Sequence, residues 1–145
     1  MAVTVKIADK EELKVAYSLR HKAFVIDEGV EEEEEFDALD KTAVHIVAIQ
    51  NGIVVGCCRV YEEDSVGKIS RLVVDKSLRR QGISKQIVLF AESLLFQSCS
   101  LITVHAHVYV QKLYTGLGYD CIGDQFMEDG SLVVKLEKRK PLVLN

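Results

Sequence analysis

A short basic segment of the chain has residue types suited to binding phosphate, and it reads Arg79-Arg80-Gln81-Gly82-Ile83-Ser84. It follows a β-like run at 68–75 and opens an apolar, helix-like run at 83–96. Backbone N–H groups at a helix N-terminus lack intrahelical partners, and the helix dipole adds partial positive charge there. Gly82 lets a ligand approach the backbone closely, and the two arginines add fixed positive charge. The segment therefore predicts a phosphate-binding turn.

The charge of the whole chain makes the doubled arginine stand out. The formal net charge is -4 and the pI is about 5.6, which argues against general nucleic-acid binding. Basic turns before helices also arise by chance, and one glycine is weak support for a phosphate site. A nucleotide held by the same turn is an alternative, but no Walker lysine pattern or pair of aspartates accompanies it.

Length and composition indicate one domain spanning residues 1–145, with room for a real core. No run approaches the roughly 18 uncharged apolar residues of a membrane span, and the N-terminus lacks the pattern of a signal peptide. The four cysteines fit neither a zinc site nor a disulfide framework, and the adjacent Cys57 and Cys58 should point to opposite faces of a strand. We therefore expect a cytoplasmic protein with reduced thiols and no membrane contact.

Hydrophobic periodicity and turn signals predict the elements that must position this segment. Asp9 and Glu12 form a capping box, Asn51-Gly52 is a strong hairpin signal, and Gly118 is a helix C-cap. In chain order, the predicted elements are a strand at 3–7, a helix at 9–24, strands at 44–50, 53–61 and 66–74, a helix from 82, a strand at 101–106, a helix at 108–117, and strands at 119–126 and 132–136.

The order β-α-(loop)-β-β-β-α-β-α-β-β predicts a mixed α/β fold. Its central sheet should be mostly antiparallel, with one parallel βαβ crossover. Ligands in such sheets bind where strand pairing splits, beyond the C-terminal ends of the strands. Both the Arg79-Arg80 turn and the Ala106-His107 segment follow such ends.

Three segments together resemble the GNAT N-acetyltransferases. The resemblance covers nearly the whole chain, and residues 20–28 with Glu35, Asp37, Asp40 and His45 resemble the small ElaA-like branch. Ser84 stands where the family's phosphate motif, Q/R-x-x-G-x-G/A, usually has Gly or Ala. The segments are Arg20-His21-Lys22-Ala23-Phe24-Val25-Ile26-Asp27-Glu28, Val73-Val74-Asp75 followed by Leu78-Arg79-Arg80-Gln81-Gly82-Ile83-Ser84, and Leu113-Tyr114-Thr115-Gly116-Leu117-Gly118-Tyr119.

The resemblance implies an enzyme that moves an acetyl group from acetyl-CoA to an amine of a small molecule or protein. It implies that the CoA pyrophosphate lies on the backbone of the basic turn and that the pantetheine arm pairs with the backbone of the preceding strand. The residues so implied are Leu72, Val73, Val74, Arg79, Arg80, Gln81, Gly82, Ile83, Ser84 and Lys85. A non-catalytic CoA-binding or regulatory domain of the same fold is the alternative.

Two residues are candidates for the chemistry. Tyr114 matches the family's tyrosine that protonates the departing thiolate, and a phenol suits general acid work; a partly buried helix aromatic is the alternative. His107 stands where the family often has Asn, and it could hydrogen-bond the cofactor, act as a base, or simply cap the strand end. His105 and His107 share a strand face, but without a third ligand we predict no metal.

Candidates for the acceptor side are less specific. Arg71 matches an arginine typical of this branch and could orient substrate or form a structural ion pair. Glu35, in the run of five glutamates at 31–35, and Asp37 and Asp40 could attract a cationic amine, although a charge run of this kind usually forms a solvated face. No residue stands out as the base, and a homodimer through the sheet edge is plausible.

Overall fold

The computed structural model describes residues 2–142, and its element order confirms the predicted one. The strands are β1 (Thr4–Ile7), β2 (Val44–Gln50), β3 (Ile53–Glu63), β4 (Val66–Val74), β5 (Leu101–His107), β6 (Asp120–Glu128) and β7 (Ser131–Arg139). The α-helices are α1 (Lys10–Arg20), α2 (Glu32–Glu35), α3 (Ile83–Leu95) and α4 (Gln111–Gly116). A π-helix (His21–Ile26) and 3₁₀-helices (Ala38–Lys41, Lys76–Leu78, Val108–Val110) connect them.

All of these strands belong to one sheet with the order β1-β2-β3-β4-β5-β7-β6. Neighbouring strands are antiparallel except β4 and β5, which are parallel and are joined through α3. The mixed α/β class with one parallel crossover is therefore confirmed.

The sheet has a hydrophobic core on each face. The larger core packs α3 against the sheet and contains Cys58, whereas the smaller core lies under α1 and contains Cys57. Adjacent strand residues point to opposite faces, so the two thiols lie in different cores, as predicted. Burial raises the pKa of both thiols, which makes them poor nucleophiles.

The local turn chemistry follows the sequence signals. Asp9 caps α1, and the reciprocal bond from the Asp9 backbone N–H to the Glu12 side chain completes the capping box. Asn51 and Gly52 both have positive φ, 53° and 75°, as a tight hairpin turn requires. Gly118, with φ 95°, follows the end of α4. Of these features, the Asn51-Gly52 turn sets the register of β2 against β3.

The first helix departs from the prediction. The α-helical part ends at Arg20 rather than near residue 24, and the chain continues as the π-helix His21–Ile26. Single π-turns inside helices commonly mark functional positions. Here the wider turn accompanies a buried Arg20 and a Phe24 ring that stacks on His107. Helical periodicity alone cannot distinguish the two helix types over six residues.

The parallel strands β4 and β5 separate after a short paired stretch. Their register pairs Gly67 to Ile69 with Ile102 to Val104, and no pairing continues beyond Ile69 among the described residues. On its other side, β4 pairs with β3 through a register shift in which Arg71 and Leu72 form a bulge. Arg71 has a φ of 59°, which is uncommon for a residue with a side chain. The bulge bends β4 and opens a slot beside β5.

Candidate active site

Two cavities meet where β4 and β5 separate. The first, which we call the basic groove, has a volume of about 630 Å³ and is bordered by the Arg79-Arg80 turn and the start of α3. The second, the acidic cleft, has a volume of about 400 Å³ and lies over β3, β4, β5 and the β6–β7 turn. Both are lined by Phe24, Leu72, His107 and Val110. These four residues form the junction between the cavities.

The basic groove contains the elements of an anion site. The N–H groups of Ile83, Ser84 and Lys85 have no intrahelical partner, because the first helical bond runs from Gln86 N–H to Gly82 C=O at 3.2 Å. Gly82 has a φ of 78°, and a Cβ placed there would meet nothing within 4 Å. Free donors, the helix dipole and open space next to a glycine suit a phosphate.

The two arginines of the turn carry uncompensated charge. Arg79 and Arg80 are exposed, and neither forms a salt bridge within the part of the chain that the structure describes. Both line the basic groove, together with Gly82, Ile83, Ser84 and Lys85. Gln81, the other predicted residue of the turn, is exposed and does not line it.

The edge of β4 that faces the slot is the second element of the groove. Leu72, Val73 and Val74 line the groove and pair with no strand on the β5 side within residues 2–142. Backbone groups of an unpaired strand edge can hydrogen-bond an extended ligand. The predicted role of these three residues depends on their backbone, and their apolar side chains are compatible with it.

Tyr114 lies between the core and the acidic cleft. Its side chain is 2% exposed and packs edge-to-face on Tyr119, with ring centroids 5.2 Å apart, yet the residue lines the cleft. Its hydroxyl has no hydrogen bond within the described chain. Burial raises the pKa of Tyr114 well above its usual value, so the phenol keeps its proton at neutral pH. The structure thus shows the buried helix aromatic that the sequence allowed, and the role of general acid stays a prediction.

His107 lies at the junction itself. Its ring is stacked near Phe24, at a centroid distance of 6.4 Å, and near Tyr109, at 5.2 Å. Its Nε2 is 3.6 Å from a carboxylate oxygen of Glu28. Tyr109 donates a 2.7 Å hydrogen bond to the other oxygen of Glu28. Partial burial and this hydrogen bond raise the pKa of Tyr109 to about 12.

Arg71 and Glu35 belong to a buried ion network, which we call the arginine cluster. Arg20 Nε donates to Glu35 at 2.8 Å, and Arg20 also binds Asp40 at 2.8 Å. Arg71 Nε lies 3.3 Å from a Glu35 carboxylate oxygen, and the Arg71 guanidinium donates to the backbone carbonyls of Glu34 and Glu35. The cluster is completed by Arg59, which binds Asp37 at 2.6 Å and Asp40 at 3.0 Å.

The solvated face predicted for these acids is wrong for Glu35, Asp37 and Asp40. Glu35 is 3% exposed, because Arg20 and Arg71 compensate its charge, whereas residues 31–34 are all exposed. Burial opposes ionisation of Asp37 and Asp40, but bonds from Arg59 and Arg20 outweigh it and hold the pKa of both carboxyls below its usual value. Burial dominates at Glu35 and raises its pKa.

The hydrogen bond between Tyr109 and Glu28 at the site was not predicted from the sequence. The two residues are 81 positions apart in the chain, so no local pattern connects them. The available signal was the position of Glu28 at the end of the segment 20–28, which already resembled a family motif. The tertiary fold brings that segment against the end of β5.

The histidines of β5 contact different carboxylates. His105 Nδ1 lies 3.0 Å from Glu128, whereas His107 faces Glu28. Among residues 2–142, no group of three or more His, Cys, Asp or Glu side chains is arranged to hold a metal ion.

No described helix is long and apolar enough to cross a membrane.

The family model described as an acetyltransferase (GNAT) domain matches residues 9–140. The chain belongs to the GNAT acetyltransferase family. The resemblance drawn from the basic turn and the Tyr114 segment is therefore confirmed, and the family supports acetyl transfer as the general activity.

Individual relatives agree with this assignment. The chain is 32% identical over 138 residues to a Bacillus subtilis protein named "Putative acetyltransferase BSU40680", covering 92% of this chain and 94% of that one. A Lactobacillus plantarum protein whose structure is described as "Crystal structure of putative N-acetyltransferase" has a TM-score of 0.86 at 25% identity, covering 96% of this chain and 99% of its own. Escherichia coli ElaA shares the fold, with a TM-score of 0.81 at 18% identity over 95% of this chain and 99% of its own.

Proposed function

We propose that this GNAT protein transfers the acetyl group of acetyl-CoA to a primary amine of a small molecule or protein. The observation that carries the proposal is the junction of Phe24, Leu72, His107 and Val110, where a groove suited to a phosphate ligand opens into a second, charged cleft. A donor and an acceptor bound in separate cavities would meet at that junction. Holding both reactants in place is a large part of such catalysis.

The residues of the basic groove fit acetyl-CoA along its length. The free N–H groups of Ile83, Ser84 and Lys85 would bind the pyrophosphate, with Arg79 and Arg80 neutralising its charge. The unpaired edge of β4 would hydrogen-bond the pantetheine amides. This arrangement directs the thioester toward the junction.

Tyr114 is proposed as the general acid. The amine nitrogen forms a bond to the carbonyl carbon and loses a proton, the carbon–sulfur bond breaks, and the departing thiolate takes the phenolic proton of Tyr114. The raised pKa of Tyr114 keeps that proton in place until sulfur develops negative charge. The tyrosine then regains a proton from solvent.

The acceptor would lie in the acidic cleft. Its charged lining includes Arg71 and Glu35, the two residues predicted for the acceptor side, but the arginine cluster binds their charges to each other. We therefore assign Arg71 and Glu35 the role of holding the wall of the cleft. Direct recognition of the amine falls to carboxylates outside the cluster, namely Glu63, Glu128 and Asp129.

The decisive experiment measures donor binding and turnover separately. Calorimetry with acetyl-CoA tests the basic groove, and release of free thiol is followed across polyamines, amino acids, amino sugars and peptides. Binding with amine-dependent thiol release supports the proposal. Binding without release from any acceptor would favour a CoA-binding regulatory domain, and absence of binding would refute the assignment of the groove.

A further inference from the structure

The contact between His107 and Glu28 is unexplained by donor binding or by the general acid. His107 lines both cavities, and Glu28, on the loop after the π-helix, lines the basic groove beside the end of β5. The carboxylate faces His107 Nε2 at 3.6 Å through one oxygen and accepts the Tyr109 hydroxyl at 2.7 Å through the other. Tyr109 therefore holds the Glu28 carboxylate, which faces the His107 imidazole at the junction where the reactants would meet.

We propose that His107 accepts the proton of the attacking amine and that Glu28 is the positioning residue that orients its ring. This inference rests on the proposed function, because it concerns the amine that attacks the thioester. It selects His107 from the roles that the sequence left open for this residue and adds Glu28 as its partner.

The surroundings of the pair restrict its motion. Phe24 and Tyr109 have rings nearly parallel to that of His107, with interplanar angles of 12° and 17°. Tyr109 also fixes the Glu28 carboxylate, so the same residue orders both members of the pair. With Nε2 toward Glu28, Nδ1 has no hydrogen-bond partner within the described residues and is free to accept a proton. This is the relation of carboxylate, imidazole and reacting group that acyl-transfer enzymes use.

The chemistry needs such a group. An alkylamine has a pKa near that of lysine, about 10.4, so it arrives as an ammonium ion and must release one proton to solvent before its lone pair can attack. A second proton must leave the nitrogen as the amide bond forms. As nitrogen bonds to the carbonyl carbon and the carbon–sulfur bond breaks, the nitrogen-bound proton passes to His107. The resulting imidazolium lies beside the Glu28 carboxylate, which stabilises it. The proton then leaves to solvent, and Tyr114 separately protonates sulfur.

Two substitutions and one control test the pair in the full chain. Glu28→Gln and His107→Asn remove the carboxylate charge and the titratable ring, and Glu33→Gln removes an equal charge from an exposed residue outside both cavities. The probes are acetyl-CoA with n-propylamine, acetyl-CoA with hydroxylamine, which is neutral at the assay pH, and acetyl-CoA with water alone. Thiol release reports turnover, and calorimetry reports acetyl-CoA affinity.

We expect His107→Asn to lower kcat with n-propylamine by about 10²–10⁴-fold while acetyl-CoA affinity is retained. Glu28→Gln should lower it by roughly tenfold or more, and Glu33→Gln should match the wild type. The loss should shrink with hydroxylamine, because its weakly basic nitrogen becomes a stronger acid on attack and gives up its proton to solvent more readily. Where n-propylamine is not turned over, the same ranking should hold for water as the nucleophile, which also gives up a proton.

The double variant distinguishes positioning from independent action. If Glu28 acts through His107, then Glu28→Gln adds no further loss in the His107→Asn background. Independent, multiplicative losses would overturn the positioning role, and wild-type turnover in His107→Asn would overturn the base. Failure of the wild type to bind acetyl-CoA would instead refute the proposed function.

A spectroscopic measurement tests the contact without turnover. In the free protein, Glu28→Gln should move the imidazole nitrogen resonances of His107 and leave those of His105 in place, since His105 contacts Glu128. Unchanged His107 resonances would show that the carboxylate does not orient the ring and would overturn the proposal.

Discussion

Arginine side chains occupy two contrasting environments in this protein. Arg20 is 2% exposed and binds both Glu35 and Asp40, whereas Arg79 and Arg80 are exposed and lack a salt bridge among the residues that the structure describes. A buried guanidinium that pairs with carboxylates stabilises the fold and is not available to a ligand. One that lies beside free backbone N–H groups remains available to neutralise a phosphate.

The free arginine of the turn gives the first prediction. Arg80→Ala should weaken CoA binding about ten- to hundredfold, because a charge-assisted contact contributes roughly 1.5–3 kcal/mol. If Arg80 meets the ribose phosphate, the defect should shrink when dephospho-CoA replaces CoA. Calorimetry checks both, and Arg139→Ala is the matched control because it removes an exposed arginine outside both cavities. An unchanged dissociation constant would mean that Arg80 points to solvent.

The second prediction separates chemistry from binding at Tyr114. Tyr114→Phe keeps the buried ring and removes only the hydroxyl, so acetyl-CoA affinity should stay level while turnover falls by about 10²–10⁴-fold. The control is Tyr119→Phe, which deletes a buried hydroxyl that has no hydrogen-bond partner in the described chain. That variant should retain turnover. Equal turnover in Tyr114→Phe would remove Tyr114 from the mechanism, and a loss confined to binding would make it a packing residue.

At the scale of elements, the site depends on a strand, a turn and a helix that follow one another. The bulge of β4 opens the slot, the turn brings free charge to its end, and α3 provides N–H groups. Gly82 connects the basic turn to α3. Its φ of 78° would be strained for any residue with a side chain, so this position favours glycine.

The third prediction concerns that glycine. Gly82→Val should abolish measurable CoA binding or weaken it strongly, because the branched side chain would enter the space left for phosphate and resist the positive φ. Gly52→Val is the matched control, since Gly52 has a φ of 75°, equally open space and a place in a hairpin outside both cavities. Both should lose comparable stability on thermal unfolding, but only Gly82→Val should lose affinity. Identical CoA affinity for the wild type and Gly82→Val would contradict the assignment of this turn as the phosphate site.

The sequence predicted those parts of the fold whose signals are local. The Asn51-Gly52 hairpin, the capping box and the opposed Cys57 and Cys58 all depend on neighbours within a few residues. The bulge at Arg71 was not predicted, because a register shift is a property of two strands. The burial of Glu35 was not predicted either, since its partners Arg20 and Arg71 are distant in the chain and only the tertiary fold brings them together.

At the scale of the whole molecule, the arginine cluster connects the N-terminal segments to the sheet. Arg20 comes from α1 and Glu35 from α2, whereas Arg59 and Arg71 come from β3 and β4. Removing one partner of a buried network leaves the opposite charge uncompensated. The single domain, the homodimer and the cytoplasmic location predicted from the sequence stay predictions.

The fourth prediction measures what the cluster contributes to stability. Arg20→Gln should lower the free energy of unfolding by about 3–5 kcal/mol, because Glu35 and Asp40 would stay buried with less compensation. Urea unfolding followed by circular dichroism checks the value. Arg79→Gln, at an exposed position, should change it by no more than about 0.5 kcal/mol. A similar loss in both variants would show that the cluster has no special role in stability.

The fifth prediction concerns acid. The pKa values of Asp37 and Asp40 are lowered in the folded protein from a usual value of 3.8, so both stabilise the fold above that pH and lose the effect as pH falls through their folded values. The raised pKa of Glu35 acts in the opposite direction. Stability should therefore fall below about pH 4, and Asp40→Asn should show a shallower fall in urea titrations at several pH values. Parallel curves would contradict this assignment.

The bulge of Arg71 and Leu72 borders both cavities. Leu72 lines the basic groove and the acidic cleft, and the Arg71 side chain holds the Glu34–Glu35 carbonyls at the wall of the cleft. A ligand that restrains the bulge from one cavity restrains it for the other, so the affinities of the two proposed ligands, donor and acceptor, should be reciprocally linked. Such linkage favours an ordered sequence of binding, in which the first ligand completes the site of the second.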